Sequence, residues 1–348
     1  MKKGVLLVNL GSPDSPTPKD VKPYLDEFLM DERVIDVNPI LRNLIVRGII
    51  LQTRPKKSAK AYSKIWWEEG SPLIILSERF KEKVAAQLDI PVALGMRYGS
   101  GSIKEGLQEL KNQGVEHVYL VPLYPHYAMS SYETVVVKAM EDKDAFFPEM
   151  QLTTMPAFYS NPAYVKVLSK SIKEHLDTFE YDHVLFSYHG IPERHIRKSD
   201  PTKFHCKIDG SCCKTNSVAH HTCYRHQCYD TTELVIKELG LPRDKVSSSF
   251  QSRLPNDPWL KPYTDFEFER LAKEGKTKLA VITPAFVSDC LETLEEIAME
   301  GKEEFMEAGG TDYIHIPCLN DRDDWVSVMV SWLKEWQETD ALPQTHIR

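Results

Sequence analysis

Val184-Leu185-Phe186-Ser187-Tyr188-His189-Gly190-Ile191-Pro192 is an apolar run that closes on an aromatic residue, a histidine and a turn. It reads as a buried strand ending near Tyr188, because Gly190 and Pro192 do not continue one. His189 then stands at the carboxyl end of a strand, where open α/β sheets collect their ligands. A histidine placed there is a candidate proton acceptor at neutral pH.

Working outward, further apolar runs mark strands at about 4–10, 91–97, 117–123, 151–156, 183–188, 246–251, 278–283 and 313–317. Most are continuous rather than alternating, as in parallel strands buried on both faces. Helical patterns separate them, at Ile103 to Gln113, Pro162 to Asp177 and Thr231 to Leu239, the last stopped by Gly240-Leu241-Pro242. The alternation predicts α/β architecture with parallel, doubly wound sheets. Eight strands suit two four-stranded halves, 1–150 and 151–348, with the break after Phe146-Phe147-Pro148. The run Val118 to Tyr127 in the first half echoes Val184 to His189 in the second. Trp325 to Trp336 is expected to pack back on the body, and the tail after Thr339 to fray.

Hydrophobic residues make up 42% and charged residues 27% of the 348, and the formal charge is −8. That balance argues against a nucleic-acid binder relying on a basic surface. No apolar run reaches the roughly 18 residues of a spanning helix. The strand-like Gly4 to Leu10 follows the first residues at once, so the cytoplasm is the expected compartment. Pro39 to Leu51 is apolar, with Arg42 and Arg47 spaced along it. It is too short to cross a bilayer and reads equally as a core helix or as an apolar lip lying on a membrane.

Seven cysteines are present, and Cys206, Cys212, Cys213, Cys223 and Cys228 share one short window, while Cys290 and Cys318 lie apart. Such clustering points to a metal more than to disulfides. The spacing lacks the paired knuckles of common zinc sites. Four thiolates, irregularly spaced, suit an iron–sulfur cluster, so four of these five are candidate ligands. Free thiols are the plain alternative.

Asp289, Glu292 and Glu296 fall at i, i+3 and i+7, one face of a helix that follows the apolar strand Leu279 to Ile282. Carboxylates at such a rim are oxygen ligands or proton acceptors for a divalent cation. Against that, acidic faces are commonly just solvated, and Ser288 or Asp289 would serve as a cap. A set of aromatic and basic residues completes the inventory: Arg97-Tyr98, Tyr124, Tyr127, Phe250-Gln251-Ser252-Arg253, Trp259 and Arg54-Pro55-Lys56-Lys57. Singly they are core or surface; together they suit a flat, apolar, dianionic ligand. Gly99-Ser100-Gly101-Ser102 lacks what a phosphate loop needs.

Leu6 to Pro13, Phe28-Leu29-Met30-Asp31, Gly95-Met96-Arg97-Tyr98, Tyr124-Pro125-His126-Tyr127, Ser187 to Pro192, Phe250 to Arg253, Pro258-Trp259 and Ser288 to Glu296 together resemble the ferrochelatase family. Its members insert ferrous iron into a porphyrin at the end of haem synthesis. The resemblance implies two Rossmann-like, chelatase-type halves with the active-site cleft between them, and no bound nucleotide. It implies that His189 accepts protons from the pyrrole nitrogens and that Glu292 is the carboxylate facing it. Asp289 and Glu296 match the acidic track behind Glu292, so these four residues are the implied metal contacts. Leu10, Arg97, Tyr98, Tyr124, Ser252 and Trp259 match porphyrin-lining positions.

Cys290 stands where many relatives carry a histidine, which puts a metal-ligand role there in doubt. Some relatives hold a two-iron two-sulfur cluster, and the window 206–228 is the expected place for one here, with Cys228 its weakest ligand candidate. Leucine at position 10, where relatives acting on coproporphyrin tend to have tyrosine, implies protoporphyrin IX. The 39–51 segment matches the family's lip, with contact to a membrane or to the preceding oxidase. The alternatives are a coproporphyrin III ferrochelatase, a cobalt or nickel chelatase, and a non-catalytic haem or iron–sulfur sensor.

Overall fold

Two four-stranded sheets, each wholly parallel, carry the chain. β1 (Lys3–Ser12), β2 (Val92–Gly99), β3 (His117–Pro122) and β4 (Gln151–Thr154) lie in the order β2-β1-β3-β4. β5 (His183–His189), β6 (Val246–Gln251), β7 (Lys278–Ile282) and β8 (Asp312–Ile316) repeat that order as β6-β5-β7-β8. The computed structural model describes residues 1–254 and 257–343. Every expected strand is present. Their unbroken apolar character follows from helices covering both faces: Val5 to Val8 and Val184 to Phe186 are completely buried.

The chain divides into two compact units. The first comprises Met1–Leu123, Met129–Pro156 and Asn320–Pro343; the second has Tyr124–Ala128 and Ala157–Leu319. This differs from a single break near 150. The helix Asp323–Thr339 belongs with the first unit because its tryptophans are built into that core. Trp336 stacks on Tyr119 of β3 at 4.5 Å between centroids, and Trp325 on Phe80 at 5.9 Å. Of the tail expected to fray, residues 344–348 lie outside the described residues. The segment Tyr124–Ala128 joins the second unit through two bonds. A His126 Nε2–Thr231 Oγ1 hydrogen bond spans 2.9 Å, and the Tyr127 amide donates to Gln227 Oε1 at 2.7 Å.

The apolar stretch from Pro39 runs as continuous helix into Leu51–Ile65, with wider turns over Leu44–Ile50. Val46 and Leu51 are buried, whereas Ile40, Leu41, Leu44 and Ile49 are exposed. The segment thus has one buried and one exposed apolar face. Arg42 is buried and donates to the Ile35 carbonyl; Arg47 pairs with Asp26 at 2.8 Å. Among the described residues no helix is long and apolar enough to cross a membrane.

In the second sheet the chain moves from β5 to β6 on one side, then returns to β7 on the other. The switch point is therefore at the carboxyl ends of β5 and β7. β7 pairs with β5 only as far as Phe186↔Ile282, while β6 follows β5 out to His189↔Gln251. The last three residues of β5 project past β7, and the chain leaving β7 leads to Glu292.

Candidate active site

His189 is the last residue of β5 and is partly exposed. Its Nδ1 lies 2.7 Å from the Gly190 carbonyl. A carbonyl only accepts, so Nδ1 carries the proton and Nε2 presents a lone pair. Burial pulls the imidazole below the ordinary histidine value, against the opposing pulls of Glu292 and the Gly190 bond. The ring is therefore neutral and basic at neutral pH. Trp259 and Phe286 flank it, with ring centroids at 6.4 Å and 6.2 Å.

The strand end is locked by backbone. The Gly190 amide donates to the Gln251 carbonyl at 2.7 Å. A Cβ on Gly190 would lie 2.7 Å from that same oxygen and 3.2 Å from the Trp259 ring, so glycine is required for the approach. Trp259 is brought alongside by two bonds: Leu260 N to Ile191 O at 3.1 Å, and Glu193 N to Pro258 O at 2.9 Å.

Glu292 opens the helical segment Glu292–Gly301, which is wound with i→i+5 hydrogen bonds rather than as the expected α-helix. The wider turn changes which carboxylates align. Glu292 bears electrostatically on His189, and Glu296 accepts a hydrogen bond from Ser252 Oγ. Asp289 precedes the segment and is buried, accepting from Thr293 Oγ1 at 2.8 Å and from the Cys318 amide at 3.4 Å. The three carboxylates expected on one α-helical face thus have three different surroundings. Among the described residues, no three His, Cys, Asp or Glu side chains gather as a metal ion would need. Cys290 is buried with its thiol pushed well above its ordinary value, chiefly by burial, and its S–H donates to Glu292.

Gln251 was not singled out by the sequence. Its Oε1 accepts from Ser187 Oγ at 3.0 Å and its Nε2 donates to the Glu292 carbonyl at 3.2 Å. One buried amide thus ties β5 to the start of the acidic segment. Its place beside the quoted Phe250 and Ser252 was the only available signal.

The sequence model of the ferrochelatase family matches residues 2–336. The ferrochelatase of Opitutus terrae is 48% identical over 338 residues, covering 96% of this chain and 97% of that protein. That of Pseudomonas syringae pv. tomato is 47% identical, covering 92% and 94%. This chain belongs to the ferrochelatase family. It is an enzyme of the lyase class that inserts ferrous iron into a porphyrin. Among solved structures, SirB from Bacillus subtilis with Fe3+ superposes with a TM-score of 0.56 at 13% identity, covering 99% of this chain and 100% of that one, a likeness of fold.

The ferrochelatase positions in the first unit have their own geometry. Leu10 is partly exposed near the end of β1. Arg97 donates to Asp31 and, through Nε, to Thr134 Oγ1 at 2.7 Å. Tyr98 is completely buried, with its hydroxyl on the same Asp31 carboxylate at 2.9 Å. Tyr98 thus shares with Arg97 the carboxylate of Asp31. Asp31 is held below its ordinary value by Thr134, the Arg33 amide, Arg97 and Tyr98, although burial opposes them. Tyr124 is buried in the second unit.

In the cysteine window of this ferrochelatase, Arg225 is buried and donates to the Ile208 and Lys207 carbonyls at 2.5 and 2.7 Å and to Cys212 Sγ at 3.6 Å. Cys223 and Arg225 both hydrogen-bond to Cys213 and hold its thiol down to about 6. Burial pushes Cys206 up to about 11. The charges of Cys212 and Cys213 bear on Cys206, and those of Cys213 and Cys206 on Cys223. Cys228 is completely buried one turn into the helix Tyr224–Leu239, against the Tyr224 hydroxyl. The donor set fits a thiolate-ligated centre in kind and number, with Arg225 to offset its charge. The sulfurs are not arranged around a common metal position.

Proposed function

We propose that the porphyrin is protoporphyrin IX and that His189 Nε2 accepts the two pyrrole protons in turn as ferrous iron enters, releasing the first to solvent before it takes the second. The observation that carries this reading is the fixed tautomer of His189, whose Nδ1 is bound to the Gly190 carbonyl, in a ring flanked by Trp259 and Phe286 and acted on by the charge of Glu292. Glu292 then stabilises the protonated imidazole and meets the incoming cation. Glu296, tied to Ser252, and Asp289 supply further negative charge along the iron's approach. Leu10, Arg97, Tyr124, Ser252 and Trp259 contact the macrocycle, Arg97 as the partner of a propionate, oriented by Asp31 and Tyr98. Leucine at position 10 favours the apolar substrate, and the exposed face Ile40, Leu41, Leu44 and Ile49 suits contact with a membrane that delivers it, or with the preceding oxidase, at the cytoplasmic side.

The test is an anaerobic assay with ferrous iron and protoporphyrin IX, following loss of free porphyrin and appearance of haem by absorbance. Turnover in the wild type and its loss in His189→Ala is the expected result. Turnover with coproporphyrin III alone would move the substrate assignment. No turnover with either porphyrin, in folded protein, would favour the sensor reading.

The window 206–228 is assigned a two-iron two-sulfur cluster held by Cys206, Cys212, Cys213 and Cys223. Support comes from the hydrogen bonds of Cys223 and Arg225 to Cys213 and of Arg225 to Cys212, with Cys228 engaged by the Tyr224 hydroxyl. Bound, such a centre would cross-link the loop to the catalytic unit. Anaerobically purified protein is expected to contain iron and acid-labile sulfide, to lose both in Cys206→Ser and to keep both in Cys228→Ala. Colourless wild-type protein carrying zinc would overturn the assignment.

A further inference from the structure

We infer that Tyr224 is a positioning residue for His189, linking the cysteine-bearing segment to the reacting strand end; this rests on the reading of His189 as proton acceptor. Tyr224 is the first residue of the helix Tyr224–Leu239, directly after Cys223, and is 4% exposed. Its hydroxyl donates to the His189 backbone carbonyl at 2.8 Å. β7 stops at Ile282, so beyond it the backbone of β5 is held by β6 on one side and, at the His189 carbonyl, by this phenol.

The bond acts on the peptide that sets the imidazole. The next carbonyl, that of Gly190, accepts the Nδ1 proton, and the Gly190 amide is held by Gln251. Fixing the His189 carbonyl therefore fixes the plane on which the ring's tautomer depends. Burial keeps the Tyr224 phenol far above its ordinary value, so it remains a donor throughout the physiological range. The Cys228 sulfur lies in hydrogen-bond contact with the same phenol. His126 packs against the Tyr224 ring at 6.0 Å and against Tyr188 of β5 at 5.5 Å. Tyr224 is thus gripped by Cys228 and His126 on one side and grips His189 on the other. The residue that follows Cys223 is in this way bonded directly to the His189 backbone.

Tyr224→Phe removes the hydroxyl and keeps the ring. Single-turnover metallation is expected to slow about tenfold, with the KM for porphyrin and the urea midpoint little changed. The ring nitrogens of His189, followed by 15N NMR in the porphyrin-free protein, are expected to report the Nδ1–H tautomer in the wild type and a tautomer mixture in Tyr224→Phe. Cys228→Ala, which loosens the phenol from behind, is expected to shift the same signals in the same direction by less. A wild-type rate and wild-type His189 signals in Tyr224→Phe would overturn the inference. Full activity in His189→Ala would overturn the acceptor reading instead, and the NMR comparison would still test the positioning.

Discussion

Gly190 shows how little freedom surrounds the reacting histidine. Its amide and its missing side chain both face the Gln251 carbonyl, the amide bonding it at 2.7 Å and a Cβ colliding with it at the same distance. Gly190→Ala must push β5 off β6 at the residue whose carbonyl holds His189 Nδ1. The expected outcome is a loss of kcat/KM greater than about tenfold together with a destabilisation of about 1–3 kcal/mol, read by turnover and urea unfolding. The histidine itself was visible in the sequence, because a strand-to-turn junction is local chemistry. Gln251 and Asp31 stand in quoted motifs that gave them no role, and Tyr224 stands in none. Each acts through a bond to a residue far away in sequence: Gln251 to Glu292, Tyr224 to His189, Asp31 to Arg97.

The acidic segment after β7 was recognisable as helical and as charged, but its winding was not. Residues at i, i+3 and i+7 share a face only within one helix; Asp289 stands before the helix begins, so only Glu292 and Glu296 lie on the wound segment Glu292–Gly301. The same residues are then held from outside, Glu292 by Gln251 through its carbonyl and Glu296 by Ser252. Ser252 adopts φ +58°, a left-handed conformation that costs a non-glycine residue of order 1 kcal/mol. Two substitutions separate backbone from hydroxyl. Ser252→Gly relieves the conformation and Ser252→Ala retains it, while both release Glu296. Ser252→Ala is expected to be less stable than Ser252→Gly by about 1 kcal/mol in urea unfolding, whereas turnover falls alike in both. Unequal turnover at equal stability would mean that the backbone conformation, not the hydroxyl, serves the reaction.

Over the entire chain, stability should weaken in acid through histidines buried without charge. Burial holds His126 at about 3 and His183 at about 4, against 6.5 for an exposed histidine. The unfolded chain binds these protons first, so their contribution is intact above pH 6.5 and is lost progressively as the pH falls toward those depressed values. The urea midpoint is expected to hold near neutrality and to drop below pH 6, and to drop less steeply in His126→Phe. The two sheets, their strand positions and the place of His189 at the end of β5 were written in the chain, because strands buried on both faces must be continuously apolar and turns need glycine and proline. The grouping of residues was not. Trp336 belongs on Tyr119 because the first sheet leaves an uncovered apolar face that those tryptophans fill, and no local pattern records which sheet a helix will cover. The same holds for the reacting end of β5. Hydrophobic period is a property of neighbours along the chain, whereas the bonds that orient His189 join residues from β6, the helix Tyr224–Leu239 and the turn at Gly190, which meet only when the chain has folded.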